Sequence, residues 1–262
     1  MNPSLLELRK KPHTSVSAVR EYLMCPRRYF LHYELGTRPD FRSAALALGT
    51  AWHEVLAAWL QGSSSSASEL EELLRDRIRA GLRGDVPVLF DDEDETEEQF
   101  LERAVVMLRA FVGSVPVPAR VLGTELPFEL SLTHPRTGEV LALPVVGAID
   151  AVVMDGEGRG VLWELKTAKK KWSADQAEHD LQVTLYKKAA RELGFDGVGL
   201  RVLVTTKGTK PEVQVLDVER VARDEEELVE VFLGVHRAIE AGVDYPSRRW
   251  QCRGCAYAGA CR

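Results

Sequence analysis

Over the first third of the chain, apolar residues recur at helical spacing. Ser15 and Ser17 are plausible N-caps for a helix running to Met24, and a second helical turn follows Pro26, carrying Tyr29, Phe30 and Tyr33. GTAWHEVLAAWL continues as an amphipathic helix, and two charged helical stretches are expected over 70–82 and 97–112. Before these two stretches QGSSSSAS, residues 61–68, has the composition of a flexible connector. From residue 120 the apolar pattern changes to strands: VLGTELPFELSL, VLALPVVGAIDAVVM and GVLWELKTA, separated by the turn-rich HPRTGE and DGEGRG. A helix is expected over 175–193, which holds no Gly or Pro before Gly194, then strands over 199–205 and 212–218 and a helix over 225–241. The pattern is that of an α/β protein with a helical N-terminal half.

At 262 residues and 45% hydrophobic, the chain can bury a substantial core. No run approaches the roughly 18 apolar residues of a membrane span, and MNPSLLELRKKPH has no signal-peptide pattern, so no membrane association and a cytoplasmic address are expected. In that compartment the four cysteines are better suited to a metal than to disulfides. Cys252, Cys255 and Cys261 lie in the terminal CRGCAYAGACR, with Cys25 far upstream in LMCPRRYF. Soft thiolates suit zinc or an iron–sulfur cluster, and the count does not separate them.

The net charge of −6 is unevenly distributed. DDEDETEE, residues 91–98, supplies seven acids, whereas residues 247–262 carry Arg248, Arg249, Arg253 and Arg262 and no acid. Further basic residues are Arg27 and Arg28 beside Cys25 and Lys169, Lys170 and Lys171 just after ELK. Such clusters suit a phosphate backbone, although ordinary solvated faces look the same. No GxxxxGK[ST] phosphate loop occurs.

Within GVLWELKTA, strand alternation puts Glu164 and Lys166 on one face and Trp163 and Leu165 on the other. Asp150 ends the preceding strand, and the DGEGRG turn can return that strand beside Glu164. Two carboxylates on adjacent strands with a lysine nearby form a site for a hard divalent cation, although an exposed Glu–Lys pair with an unrelated Asp has the same spacing. Gln182 and Tyr186, four apart on the following helix, share a face. His53 on its apolar helix and Glu125 in GTELPFEL are weaker candidates.

SVSAVREYLMCPRRYF, GTAWHE, GAID, WELKT, QVTLY and CRGCAYAGAC, in that order, resemble the RecB-like branch of the PD-(D/E)XK nuclease superfamily. Within it they resemble the iron–sulfur members, which include the AddB nuclease domain and the CRISPR-associated RecB-like exonucleases. The motifs run from residue 15 to residue 261. The resemblance implies a restriction-endonuclease-like core, a mixed central sheet flanked by helices, with an iron–sulfur clasp joining the chain ends. The expected division is a helical region over 1–118 with an acidic insertion near 61–98, a nuclease core over 119–243 and a cysteine segment over 244–262, all in one compact domain.

Residue by residue, the resemblance implies that His53, Asp150, Glu164 and the carbonyl of Leu165 bind a catalytic Mn2+ or Mg2+, the histidine nitrogen favouring manganese. Lys166 matches the lysine that orients the attacking water, and Gln182 and Tyr186 match the helix motif that supports the site. Cys25, Cys252, Cys255 and Cys261 match the ligands of a 4Fe-4S cluster. Arg28, Lys169, Lys170, Arg248, Arg249 and Arg253 are the expected nucleic-acid contacts. Glu164 stands where this branch commonly has Asp, and Ile149 where the superfamily name has proline. The activity implied is metal-dependent DNA cleavage, exonucleolytic on single strands or ends, in recombination and repair or CRISPR adaptation, with a helicase or integrase as partner protein. The alternative is a non-catalytic DNA-binding or assembly subunit. The acidic insertion matches nothing in this pattern.

Overall fold

The computed structural model describes residues 3–62, 66–92 and 94–261; residues 63–65 of the serine-rich connector and Glu93 of the acidic stretch lie outside them. In chain order the elements are α1 (Leu5–Leu8), α2 (Val16–Met24), α3 (Pro26–Tyr29), a π-helical turn (Phe30–Glu34), β1 (Arg42–Ser43), α4 (Ala44–Leu60), α5 (Ala67–Leu82), β2 (Val88–Leu89) and α6 (Glu97–Ser114). Then come β3 (Arg120–Leu130), β4 (Val145–Met154), β5 (Gly160–Ala168), α7 (Ala174–Glu178), α8 (Leu181–Glu192), β6 (Gly199–Thr206), β7 (Val213–Val218), α9 (Ala222–Glu240) and a 3-10 turn (Trp250–Gly254). The helix starts follow side-chain chemistry. Ser15, Ser43 and Ser66 accept backbone N–H bonds at the heads of α2, α4 and α5, and Thr96 forms a capping box with Gln99 at α6.

Five strands form one mixed sheet in the order β3-β4-β5-β6-β7, and β1 pairs with β2 separately. β4 and β5 are antiparallel, β5 and β6 parallel, β6 and β7 antiparallel. The parallel pair requires a crossover, which α7 and α8 supply.

The described chain is built from interleaved segments. It groups into two compact units: Met1–Arg42, Pro127–Ala148 and Arg220–Arg262 form one, and Ser43–Leu126 with Ile149–Glu219 the other. In the second unit one sheet face, carrying Ala151, Val153, Trp163, Leu165 and Leu203, packs into a core with Leu48, Trp52 and Leu56 of α4, Leu74 and Ile78 of α5, and Phe100, Leu108 and Phe111 of α6. Side chains of β4 and β5 that alternate with these face the opposite way.

Three local expectations are corrected. The helix expected over 175–193 is two, because Asp180 has extended backbone and its carboxylate accepts the N–H groups of Gln182 and Val183, starting a new helix. Asp150 lies inside β4, four residues before its end, since Ala151 to Met154 all pair with β5. The strand expected from Val140 begins at Val145, with only an isolated bridge from Val140 to Thr133.

Candidate active site

The β4–β5 pairing runs from Met154 and Gly160 to Ala151 and Trp163, which brings Asp150 opposite Glu164 one step further on. There the regular ladder stops, and the Leu165 N–H donates to Asp150 Oδ2 at 2.7 Å. Ala151 and Trp163 face the helical core, so Asp150 and Glu164 turn away from it, and both are buried. α4 brings His53 Nδ1 to 3.3 Å from Asp150 Oδ1 and 3.7 Å from Glu125 Oε1. His53, Glu125 and Asp150 each offer a ligand atom, all within 4.8 Å of one another, a span one octahedral cation can bridge.

Glu125 is the residue whose weight sequence reasoning underestimated. It has φ +46° in the middle of β3, the described non-glycine residue with positive φ. Side chains rarely take that conformation, and here it accompanies a carboxylate turned towards Asp150 and His53.

A hydrogen-bond circuit supports the site from α8. Lys166 Nζ donates to Gln182 Oε1 at 2.9 Å, Gln182 Nε2 donates to the Tyr186 hydroxyl at 2.7 Å, and that hydroxyl donates to Asp150 Oδ1 at 3.4 Å. The circuit fixes the orientation of the Gln182 amide. Lys166 also ion-pairs with Glu164. Even so, neither Glu164 oxygen accepts a well-directed hydrogen bond, although the residue is fully buried.

The electrostatics follow from two buried carboxylates, Asp150 and Glu164, and the more exposed Glu125 standing beside two bases. Glu164 is pushed up to about 8 by burial and by Asp150, against the pull of Lys166. Glu125 rises to about 7 through burial and Asp150. Burial opposes protonation of His53, but Asp150, Glu125 and Glu164 outweigh it and raise the imidazole to about 9. Burial likewise disfavours the Lys166 ammonium, yet Glu164 and Asp150 hold its pKa above the ordinary value. A fully buried carboxylate paired with a lysine, beside a histidine and two more acids, suits a divalent cation. The donor set therefore fits Mn2+ or Mg2+.

The four cysteines belong to the other unit. They line a cavity of about 200 Å3 together with Arg28, Leu31, Pro246, Arg248 and Ala258. All four are free thiols, and no three sulfurs lie within 4.8 Å of one another. Cys25 Sγ accepts the Ser247 N–H at 3.4 Å, and Cys252 Sγ donates to the Ser247 carbonyl at 3.7 Å. Asp40 fixes the last loop: its N–H donates to the Ala256 carbonyl and its carboxylate accepts the Gly259 N–H at 2.9 Å. A Cβ at position 259 would come within 2.9 Å of that carboxylate, so a side chain there would have to displace the Asp40 carboxylate.

Of the expected nucleic-acid contacts, Lys170, Arg248, Arg249 and Arg253 are exposed. Arg28 is engaged by Glu21 at 2.9 Å, and Lys169 pairs with Asp91 of the acidic stretch at 3.2 Å. A second acid–histidine group, His134 with Glu226 and Glu230, has its ligand atoms within 4.8 Å of one another and is already internally paired. His134 Nδ1 accepts the N–H groups of Arg136 and Thr137, so its proton lies on Nε2, facing Glu230, while Arg136 pairs with both glutamates.

A profile of the PD-(D/E)XK nuclease superfamily matches residues 13–262, and the chain belongs to that superfamily. No curated protein sequence matches it. Among solved structures, a Eubacterium rectale protein described as "Putative exonuclease" is similar with a TM-score of 0.53 and 15% identity, covering 94% of this chain and 89% of its own. A protein designated SSO0001 is similar at 14% identity and a TM-score of 0.41, over 93% of this chain and 84% of its own. The first likeness shows a shared fold. No helix among the described residues is long and apolar enough to cross a membrane.

Proposed function

We propose that this nuclease-superfamily chain is a divalent-metal-dependent deoxyribonuclease of the RecB-like iron–sulfur branch, cutting single strands or strand ends. The observation that carries this reading is the convergence of His53, Glu125 and Asp150 beside the buried Glu164–Lys166 pair. His53, Asp150, Glu164 and the Leu165 carbonyl would hold the ion, with Glu125 as an added ligand. When bound, it supplies Lewis acidity to the scissile phosphate and to the attacking water. Lys166 orients that water and offsets charge growing on the phosphate. Gln182 holds the ammonium, and Tyr186 holds the Asp150 carboxylate. Water attacks phosphorus, the P–O3′ bond breaks, and the products are a 5′-phosphate and a 3′-hydroxyl. DNA recombination and repair or CRISPR adaptation, beside a helicase or integrase, is the setting that the family motifs suggest.

Soft thiolates suit zinc or an iron–sulfur cluster, and the resemblance of the cysteine pattern to the iron–sulfur branch favours 4Fe-4S. Cys25, Cys252, Cys255 and Cys261 then clasp the two ends of the chain.

The test is an assay on end-labelled single and double strands with manganese, magnesium or a chelator, together with iron and zinc analysis of anaerobically prepared protein. Cutting with either metal, none in chelator and none by Glu164→Gln is expected, with brown protein that loses its iron in Cys252→Ser. Wild-type rates in Glu164→Gln would remove the site assignment, and intact DNA throughout would favour a non-catalytic binding subunit. Colourless protein with stoichiometric zinc would remove the cluster.

A further inference from the structure

Beside the cysteine cavity the chain carries two aromatic side chains that cover no core. Trp250 is 80% exposed and Tyr245 56%. Single exposed aromatics are ordinary, but Tyr245 sits on a fixed backbone and Trp250 among exposed arginines. The backbone of 243–247 is anchored at every second residue. The Tyr22 hydroxyl donates to the Val243 carbonyl at 2.8 Å, the Arg27 N–H to the Tyr245 carbonyl at 3.0 Å, and the Ser247 N–H to Cys25 Sγ at 3.4 Å. Arg27 further pairs with Asp244 at 3.0 Å. Tyr245 is therefore exposed on an anchored backbone and is not a fraying end. Trp250 opens the 3-10 turn that carries Cys252, and exposed Arg248, Arg249 and Arg253 flank it in a stretch without any acid.

Resting on the nuclease reading above, we infer that Tyr245 and Trp250 form a stacking platform for the bases of single-stranded DNA, with Arg248, Arg249 and Arg253 holding its phosphates. Aromatic faces stack on bases only where the bases are unstacked from a duplex, and cations alone bind both forms. The combination selects the single strand.

The experiment measures binding of labelled single-stranded and duplex DNA by full-length protein in chelator, where nothing is cut. Tyr245→Ala and Trp250→Ala are each expected to weaken single-strand affinity roughly tenfold and leave duplex affinity unchanged, while Trp250→Phe keeps both. Arg248→Ala and Arg249→Ala weaken both forms and reduce the salt dependence. Unlabelled single strand should also quench wild-type tryptophan fluorescence, an effect lost in Trp250→Phe, which reads the platform without depending on the stability of the alanine variants. Unchanged single-strand affinity in the aromatic variants, equal losses for both forms, or no quenching overturns the platform; so does a protein partner whose binding alone depends on Trp250. If the platform effects appear but manganese never supports cutting, the catalytic reading fails and the platform stands. Cutting with no aromatic effect gives the reverse.

Discussion

The Asp150 carboxylate takes the Leu165 N–H at 2.7 Å, at the point where β4 and β5 stop pairing through their backbones. One oxygen thus replaces a strand carbonyl, and the other faces His53 at 3.3 Å. Structural and electrostatic roles are divided between the two oxygens of one side chain. Asp150→Asn can keep the first role through its amide oxygen and lose the negative charge. Asp150→Ala loses both and leaves a buried amide without a partner, which costs about 1–3 kcal/mol. The expected result is that Asn melts near wild type in chelator, Ala melts lower, and manganese raises the melting temperature of neither. Equal melting of the two variants would separate the hydrogen bond from stability.

The metal-free protein should lose stability as pH rises. Glu164 moves from an ordinary 4.5 to about 8, and His53 from 6.5 to about 9. In both cases the folded chain holds a proton that the unfolded chain has released, so stability falls from about pH 4.5 through about pH 9. Glu164→Gln should flatten the lower part of this slope and His53→Asn the upper part. Manganese needs deprotonated ligands, so its stabilisation should grow over the same range. Thermal melts in chelator and in manganese check this, and a metal-free protein more stable at alkaline than at mildly acidic pH would contradict it.

Asp91 gives part of the acidic stretch a structural task. Its carboxylate faces Lys169 at 3.2 Å and Lys207 and Arg103 at 3.7 Å, while Glu95 binds Arg103 with two hydrogen bonds. Burial would raise the Asp91 pKa, but Lys207, Lys169 and Arg103 outweigh it and hold it below the ordinary value. The stabilisation is present above the unfolded value of 3.8 and is lost as pH falls through the lower folded one. Asp91→Asn leaves the largely buried Lys207 without its carboxylate and should cost about 1–2 kcal/mol near neutral pH. Its denaturant midpoint should therefore drop, and a midpoint equal to wild type would show the cluster to be indifferent.

Much of the core was legible because strand alternation is local. Glu164 and Lys166 on one side of β5, and Trp163 and Leu165 on the other, follow from period two alone, and Gln182 with Tyr186 from helical spacing. The position of Asp150 within β4 was hidden because Ile149 to Val153 are buried on both faces, so no alternation marks where pairing continues. The break before α8 was hidden because an aspartate can begin a helix as readily as ride on one. The ion pairs of Asp91 join residues far apart in sequence, and the two units are built from interleaved segments, so neither leaves a local pattern.

Glu125 belongs with these hidden features and yields the sharpest separation of function from stability. A non-glycine residue at φ +46° carries backbone strain of about 1–2 kcal/mol. Its half-exposed side chain fills no core; what it reaches is His53 and Asp150. Glycine accepts that φ without strain but loses more chain entropy on folding, about 1 kcal/mol, so the two effects nearly offset. Removing the carboxylate also relieves its repulsion with Asp150, which with burial is what drives Glu125 up to about 7. Glu125→Gly should therefore melt at or above the wild-type temperature in chelator. With the ligand gone, manganese affinity should fall roughly tenfold or more, since each carboxylate supplies both a donor and a charge. Calorimetric titration of manganese and paired melts distinguish the outcomes. Destabilised protein with wild-type manganese affinity would mean that the backbone conformation serves the fold and not the ion.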